Sequence, residues 1–430
     1  MKKLTRKIFI SLFTAVFALI TLGATTFAWF TLTTTVEVQE FEAEITSGTG
    51  IEVSLDGVKF TSYIRTDEIV AKIKSNLSIG EGDIVLDAVT TPTGYDNFKT
   101  IDITTVPGQP QSKEATGGWI YFDLYFRTPY QEDNQDTWVY LLTGTSISSN
   151  GKMWQSDANF EDANSFNISS GDTKTVYACN SLRMSFLTHD FQSGKIGQAN
   201  SIGNATTDVV IYELTPTFNT APAARDDNQR LDYTLKTYGS IDYFRVKTGG
   251  TSGINLFKYY NDSVLPRKVL NSSHLVSSSS LENVMEAKEA VVKLNAFDES
   301  KKDYYYGVVK ARMWIEGWDP DCYNAIMAAD LKIKLSFGGS GQAPDPVAES
   351  PIDTTEYNIT YTFETGQDTA THANPATFTM SDLALFLEDA TLSGFVFDGW
   401  YLDATYETPI TFIPADRKEA ITIYGKFIVE

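Results

Sequence analysis

The densest run of chemistry-bearing side chains in this sequence is Trp314-Ile315-Glu316-Gly317-Trp318-Asp319-Pro320-Asp321-Cys322. It strings three carboxylates and two tryptophans across what reads as a strand end and a turn. Hard cations such as Ca²⁺ take oxygen ligands, so Glu316, Asp319 and Asp321 are the candidate metal ligands. Ca²⁺ is the only cofactor for which the residues offer a place. Trp318 offers a flat face for a sugar ring, as does Trp119 elsewhere in the chain. The Asp-x-Asp-x-Asp-Gly spacing of a calcium loop is missing, and a turn at Pro320 held by hydrogen bonds of Glu316 is the competing structural reading.

Catalytic patterns are scarce. The three histidines, His189, His274 and His372, each sit in a polar stretch far from a nucleophile motif and read as solvated surface residues. No Gly-x-Ser-x-Gly, His-Glu-x-x-His or phosphate-cradling glycine loop occurs, so the usual routes to an activated serine, a catalytic zinc or a bound nucleotide are not signposted. A pair of carboxylates brought together in space would suit glycoside hydrolysis, which keeps a secreted hydrolase as a distant alternative. The expectation is a protein that is not an enzyme.

Two cysteines, Cys179 and Cys322, lie far apart, with no Cys-x-x-Cys or Cys/His grouping that would suit zinc. Each flanks a strong strand pattern, so a bridge is expected if those strands are neighbours. Such a bridge would stabilise by roughly 4–5 kcal/mol on loop-entropy grounds. Two buried thiols are the alternative.

The elements that must position these residues are overwhelmingly strands. Ile51, Val53 and Leu55 alternate with polar residues, as do Ile120, Phe122, Leu124 and Phe126. The same holds for Leu182, Met184 and Phe186, for Val309, Ala311, Met313 and Ile315, and for Leu331, Ile333, Leu335 and Phe337. Period two with one apolar face marks half-buried antiparallel strands. Polar turn-rich loops separate them at 131–137, 167–173 and 247–253. Helical signal is weak. Ser280 is placed to cap a helix bearing Leu281, Val284, Met285, Val291 and Val292, with Lys288 interrupting its apolar stripe. A second short helix is expected over Asp382 to Glu388.

Composition narrows the partners. With 55 acidic against 34 basic residues the formal charge is −21, and −25 once the first 28 residues are removed. Such a surface repels nucleic acid and anionic lipid, and no nucleic-acid partner is expected. Aromatic content is high at 13%, which suits strands and adhesive or self-associating surfaces.

The N-terminus carries Lys2, Lys3, Arg6 and Lys7 before an apolar run from Ile8 to Ala28. This is the layout of a secretion signal, with cleavage between Ala28 and Trp29. The run is nearly long enough to span a bilayer, so an uncleaved anchor with its basic end in the cytoplasm is the alternative. The continuation, with Trp29-Phe30, Ser47-Gly48 and the strand Ile51 to Leu55, resembles camelysin and TasA-type proteins over about 35 residues. That resemblance implies export and processing by a dedicated signal peptidase.

At the other end, Gly394-Phe395-Val396-Phe397-Asp398-Gly399-Trp400-Tyr401 follows Asn374-Pro375 and precedes Thr408-Pro409-Ile410 and a strand ending Tyr424-Gly425-Lys426-Phe427. This segment resembles the Listeria–Bacteroides repeat, or internalin B-repeat, over about a sixth of the chain. The resemblance implies a β-grasp-like module of bacterial surface and secreted proteins, with the last strand paired centrally with Tyr357 to Phe363. The Trp314–Cys322 stretch and Ile211-Tyr212-Glu213 also resemble phrases of exported proteins of low-GC Gram-positive bacteria, which implies no activity.

The expected layout is a signal or anchor at 1–28 and a β-sandwich or jelly-roll-like domain over 29–337. A break into two sandwiches would fall in Asn219 to Arg230. A Gly/Pro-rich linker at 338–354 follows, then the internalin B-repeat-like module at 355–430. The functional expectation is an exported surface or matrix structural protein that self-associates by strand exchange, with other surface proteins as further partners. The alternative is an adhesin for a glycan or wall polymer.

Overall fold

A computed structural model describes residues 36–47, 50–102, 111–130, 136–162, 167–192, 201–214, 243, 269–284, 288–297, 303–317, 319, 321–322, 330–345, 355–379, 385–410, 412–413 and 419–429. The longer strands, in chain order, are β1 (Val36–Ser47), β2 (Glu52–Ser54), β3 (Trp119–Pro129), β4 (Thr137–Leu141) and β5 (Leu182–Gln192). They continue with β6 (Ser201–Tyr212), β7 (Ala290–Leu294), β8 (Tyr304–Glu316) and β9 (Asp330–Ser340). The C-terminal segment adds β10 (Glu356–Phe363), β11 (Phe395–Tyr401) and β12 (Ile421–Val429).

Two seven-stranded sheets face each other. One runs β7-β4-β9-β1 and ends on Tyr63–Ile64; the other runs β6-β5-β8-β3-β2. The inner face of the second sheet is the one the alternation predicts: Ile120, Phe122, Leu124 and Phe126 on β3, and Val309, Ala311, Met313 and Ile315 on β8, all enter one core. Rings interlock across the layers. Phe41 of β1 meets Phe122 edge-on at 5.2 Å, and Phe337 of β9 meets Phe126 at 5.1 Å. Each such fully buried side chain contributes roughly 1.5–3 kcal/mol by leaving water. The protein is thus mostly β, with a sandwich at its centre. The Asn219–Arg230 segment lies outside the described residues, as do residues 1–35 with Ala28 and Trp29.

Two features depart from the expected strands and helices. Thr66–Leu77 forms a helix, α1, whose Ile69 and Ile73 enter the sandwich core. Glu68 accepts the Arg65 backbone N–H at its start, and Ser78 in the left-handed region ends it. The helix expected after Ser280 does not form over its C-terminal half. Ser278–Ser280 is a 3-10 turn, and Val291 and Val292 lie in β7, paired antiparallel with β4. Lys288 leaves the stripe because its ammonium caps the Ser273 and Leu275 carbonyls.

The expected linker also starts too early. Gly338 to Ser340 complete β9 against Tyr140, Val139 and Trp138, and their burial shows that the glycines admit close packing rather than marking a flexible joint. Residues 346–354 lie outside the described residues.

In the C-terminal segment β12 sits centrally, parallel to β10 and antiparallel to β11. Its core is separate from that of the sandwich. Trp400 is buried, donates its indole N–H to the Glu388 carbonyl, and packs among Tyr361, Phe363 and Phe397. The helix expected over 382–388 is replaced at Leu385–Phe386 by a short strand paired with Phe412–Ile413.

Candidate functional site

Alternation on β8 places Glu316, Trp314, Arg312 and Lys310 on the face of the sheet that points away from the sandwich core. The register sets Trp314 opposite Trp119 and Arg312 opposite Tyr121 on β3, with Arg183 and Ser185 of β5 on the other flank. A face this polar is expected in water. Instead it is covered at one end by a loop and by residues 269–270.

The loop runs from Thr91 to Phe98 and is built by its own side chains. The Thr91 hydroxyl donates to the Asp96 carbonyl and accepts the Gly94 N–H, while Thr93 bonds the Asp96 carboxylate. At its crest the Ser185 hydroxyl donates to the Gly94 carbonyl at 2.6 Å. Only glycine fits there. Its φ is +79°, and a Cβ would lie 2.4 Å from the Ile211 Cδ1. Phe98 leaves this loop to stack on Trp119 at 4.2 Å and to meet Trp314 edge-on at 5.6 Å. Val89, Ile211 and Val269 complete this small outer core.

Beneath that cover lies a buried ionic cluster. The Arg183 Nε donates to Glu213 Oε2 at 2.8 Å and its Nη1 donates to Glu316 Oε2 at 3.0 Å. The Trp314 indole N–H reaches the same Glu316 oxygen at 3.2 Å. Arg183, Glu213 and Glu316 are at most 1% exposed. Buried charges persist only when paired and hydrogen-bonded, and a guanidinium fork held by two carboxylates satisfies that requirement. Asp319 is buried alongside; its carboxylate accepts from the Ser181 hydroxyl and the Asp321 backbone N–H. The turn expected here is present, with Asp319 N–H on the Glu316 carbonyl and Cys322 N–H on the Asp319 carbonyl.

These contacts change the sequence-based assignment. Glu316, Asp319 and Asp321 do not converge as a ligand set; among the described residues no group of three such side chains could hold a metal ion. Glu316 holds an arginine and an indole instead, and Asp319 organises its own turn. Trp318 lies outside the described residues. Cys179 and Cys322 do flank paired strands, yet no disulfide joins them. Both are buried thiols that pack in the sandwich core as small apolar side chains. Burial, reinforced by the Asp319 and Glu316 charges, pushes the Cys322 thiol well up. Arg183, on the polar side of its strand pattern, reads as solvent-facing in the sequence but is buried. Its one signal was an arginine set between Leu182 and Met184 in a strong strand pattern.

The histidines are half-buried rather than solvated. His189 Nδ1 faces the Gly203 carbonyl, and burial lowers its pKa. His372 packs on Tyr361 at 4.1 Å. Ser273 Oγ lies 3.5 Å from His274 Nδ1, but that nitrogen faces Asn271 Oδ1 at 3.0 Å within the cap of a 3-10 turn. This is capping geometry.

Beyond the cover, the same face opens into a cleft of about 350 Å³. Its floor is Trp119 and Tyr121 of β3 with Lys310 and Arg312 of β8; Tyr95, Asp96 and Asn97 of the loop wall one side, and Glu114 and Ala115 wall the other. Tyr121 is fixed by its hydroxyl, which donates to the Asn76 carbonyl of α1 at 3.0 Å. Lys310 is paired with Asp123 at 3.0 Å. Arg312 differs. Its Nη1 is buried without any hydrogen-bond acceptor, and burial lowers its pKa against the pull of Asp123 and Asp96.

Comparison with protein-family models, curated proteins and solved structures finds no match to this chain.

Proposed function

We propose that this chain is an exported, non-catalytic structural protein of the bacterial surface or matrix, assembling by exchange of its first strand. The export part rests on the basic and apolar N-terminal pattern, the assembly part on β1. Among the described residues no helix is long and apolar enough to cross a membrane.

The observation that carries the assembly reading is how β1 is held. It lies parallel to β9 from Glu37 to Ser47, so no hairpin ties it to its main partner. Besides that ladder, side chains hold it: Phe41 and Ala43 are fully buried and Val38 nearly so. Cross-strand ion pairs Glu40–Lys332 and Glu44–Lys334 fix its register. On its far side, among the described residues, it pairs with the two-residue strands Tyr63–Ile64 and Val85–Leu86. In sequence Ser47-Gly48-Thr49-Gly50 leads from it toward β2, and Gly50 has φ +67°. A strand from a second copy would make the same contacts in the same slot, so exchange costs little beyond the hinge.

Glu40→Cys combined with Lys332→Cys tests this. Oxidised assemblies of the mature protein should run as covalent multimers on a denaturing gel. Intrachain bridges alone, at every protein concentration, would sink the strand-exchange reading.

A further inference from the structure

We propose that the open cleft beside the buried ionic cluster binds an uncharged, hydroxyl-rich carbohydrate, with a pyranose ring laid against its aromatic side chains. The cleft volume of about 350 Å³ lies at the small end of the roughly 300–1,000 Å³ typical of small-molecule sites and matches one or two sugar rings.

The lining has the two kinds of group such a ligand needs. Tyr95, Trp119 and Tyr121 give flat apolar faces, and two of them are already immobilised, Trp119 by its stack on Phe98 and Tyr121 by its bond to α1. Ordering them on binding therefore costs little entropy. The polar groups are both donors and acceptors. Asp96 and Glu114 accept, while Arg312 carries a buried Nη1 that lacks an acceptor. Arg312 lines the cleft, and its guanidinium N–H groups are donors for sugar hydroxyls, which in turn donate to a carboxylate.

Charge selects the class. Lys310 and Arg312 are balanced by Asp96 and Glu114 in the lining, and the whole chain carries −21. A polyanion such as a teichoic acid, polyuronate or nucleic acid gains nothing from a locally neutral cleft and is repelled by the remainder of the surface. No residue lining the cleft belongs to β1 or to its sheet, so sugar binding stands or falls independently of strand exchange.

The test uses the mature full-length protein in calorimetric titrations with β-1,3-glucan, β-1,4-mannan, galactan and N-acetylglucosamine oligomers, with polygalacturonate as the charged control. Binding of at least one neutral glycan is expected, weakened about tenfold or more in Trp119→Ala. Glu114→Gln, an exposed rim substitution that leaves the fold untouched, should weaken it about threefold or more. Binding of polygalacturonate alone, no binding of any neutral glycan, or binding unchanged in both variants would overturn the proposal.

Discussion

Two arginines on neighbouring strands of one sheet face meet opposite fates. Arg183 on β5 is sealed under the Thr91–Phe98 loop and bridges two carboxylates; Arg312 on β8 stands at the edge of that cover with one nitrogen lacking an acceptor. Both are arginines, both sit on alternating strands, and Ser185 opposite Arg312 is only two residues from Arg183. What differs is whether the protein completes the site. The sealed end is a finished structural joint that ties β5, β6 and β8 together. The open end borders the cleft to which the sugar-binding proposal assigns its ligand.

The largest effect that would test this contrast is on stability. Arg183→Met leaves Glu213 and Glu316 buried without their cation and should cost about 3–5 kcal/mol. Arg312→Met removes a poorly satisfied donor and should change stability by less than about 1 kcal/mol. Urea unfolding followed by tryptophan fluorescence measures both, and equal losses would erase the distinction.

The sandwich core beneath should likewise be closed to reagents. Without reductant, Cys179 and Cys322 should resist thiol labelling in the native protein and both react after unfolding. If unfolding exposed no thiol at all, a bridge would be present after all.

A smaller loss follows from Glu316→Gln, which keeps shape but removes the charge from the bonds to Arg183 and Trp314. It should cost about 1–3 kcal/mol in the same urea assay. Gly94→Ala tests the lid between the two regions. It forces a Cβ onto Ile211 at a positive φ and should cost about 1–3 kcal/mol. It should also disturb the cleft wall, read as altered near-ultraviolet dichroism of Trp119 and Trp314. An unchanged spectrum would mean that the loop does not organise both regions.

The smallest effect is a pH dependence further along β5. Burial lowers the His189 pKa, so on acidification the unfolded chain takes up the proton first. Its contribution to stability is therefore lost as pH falls below about 6.5, the ordinary histidine value. His189→Gln should flatten the decline in urea midpoint between pH 7 and pH 5. A slope unchanged by the substitution would show that His189 titrates alike in both states.

The strands and their inner faces were legible in the sequence because alternation is a local property. Ile120 to Phe126 and Val309 to Ile315 announce a half-buried strand whatever their partners are. The turn at Asp319 was legible for a similar reason: the residues that make it are close in the chain. Misreadings arose where context overrode propensity. The stripe from Leu281 to Val292 has helical spacing, yet Val291 and Val292 find a better place beside β4. Thr66–Leu77 does carry helical signals that the reading passed over: Ile69, Val70, Ile73 and Leu77 share one face, with Asp67 and Glu68 in the first turn and Lys74 in the last.

The outward faces were not legible at all. Period two separates two faces of a strand but does not say which of them water reaches. Only the tertiary fold lays the Thr91–Phe98 loop over Arg183 and Trp314, turns Glu316 from a metal-ligand candidate into an ion-pair partner, and stops short of Arg312. The cleft unites residues 95–121 with 310–312, nearly two hundred positions apart, and the slot for β1 joins the first described strand to β9. Sequence fixes which residues can pair or stack because that is chemistry of single side chains; their meeting and their burial are set by long-range packing.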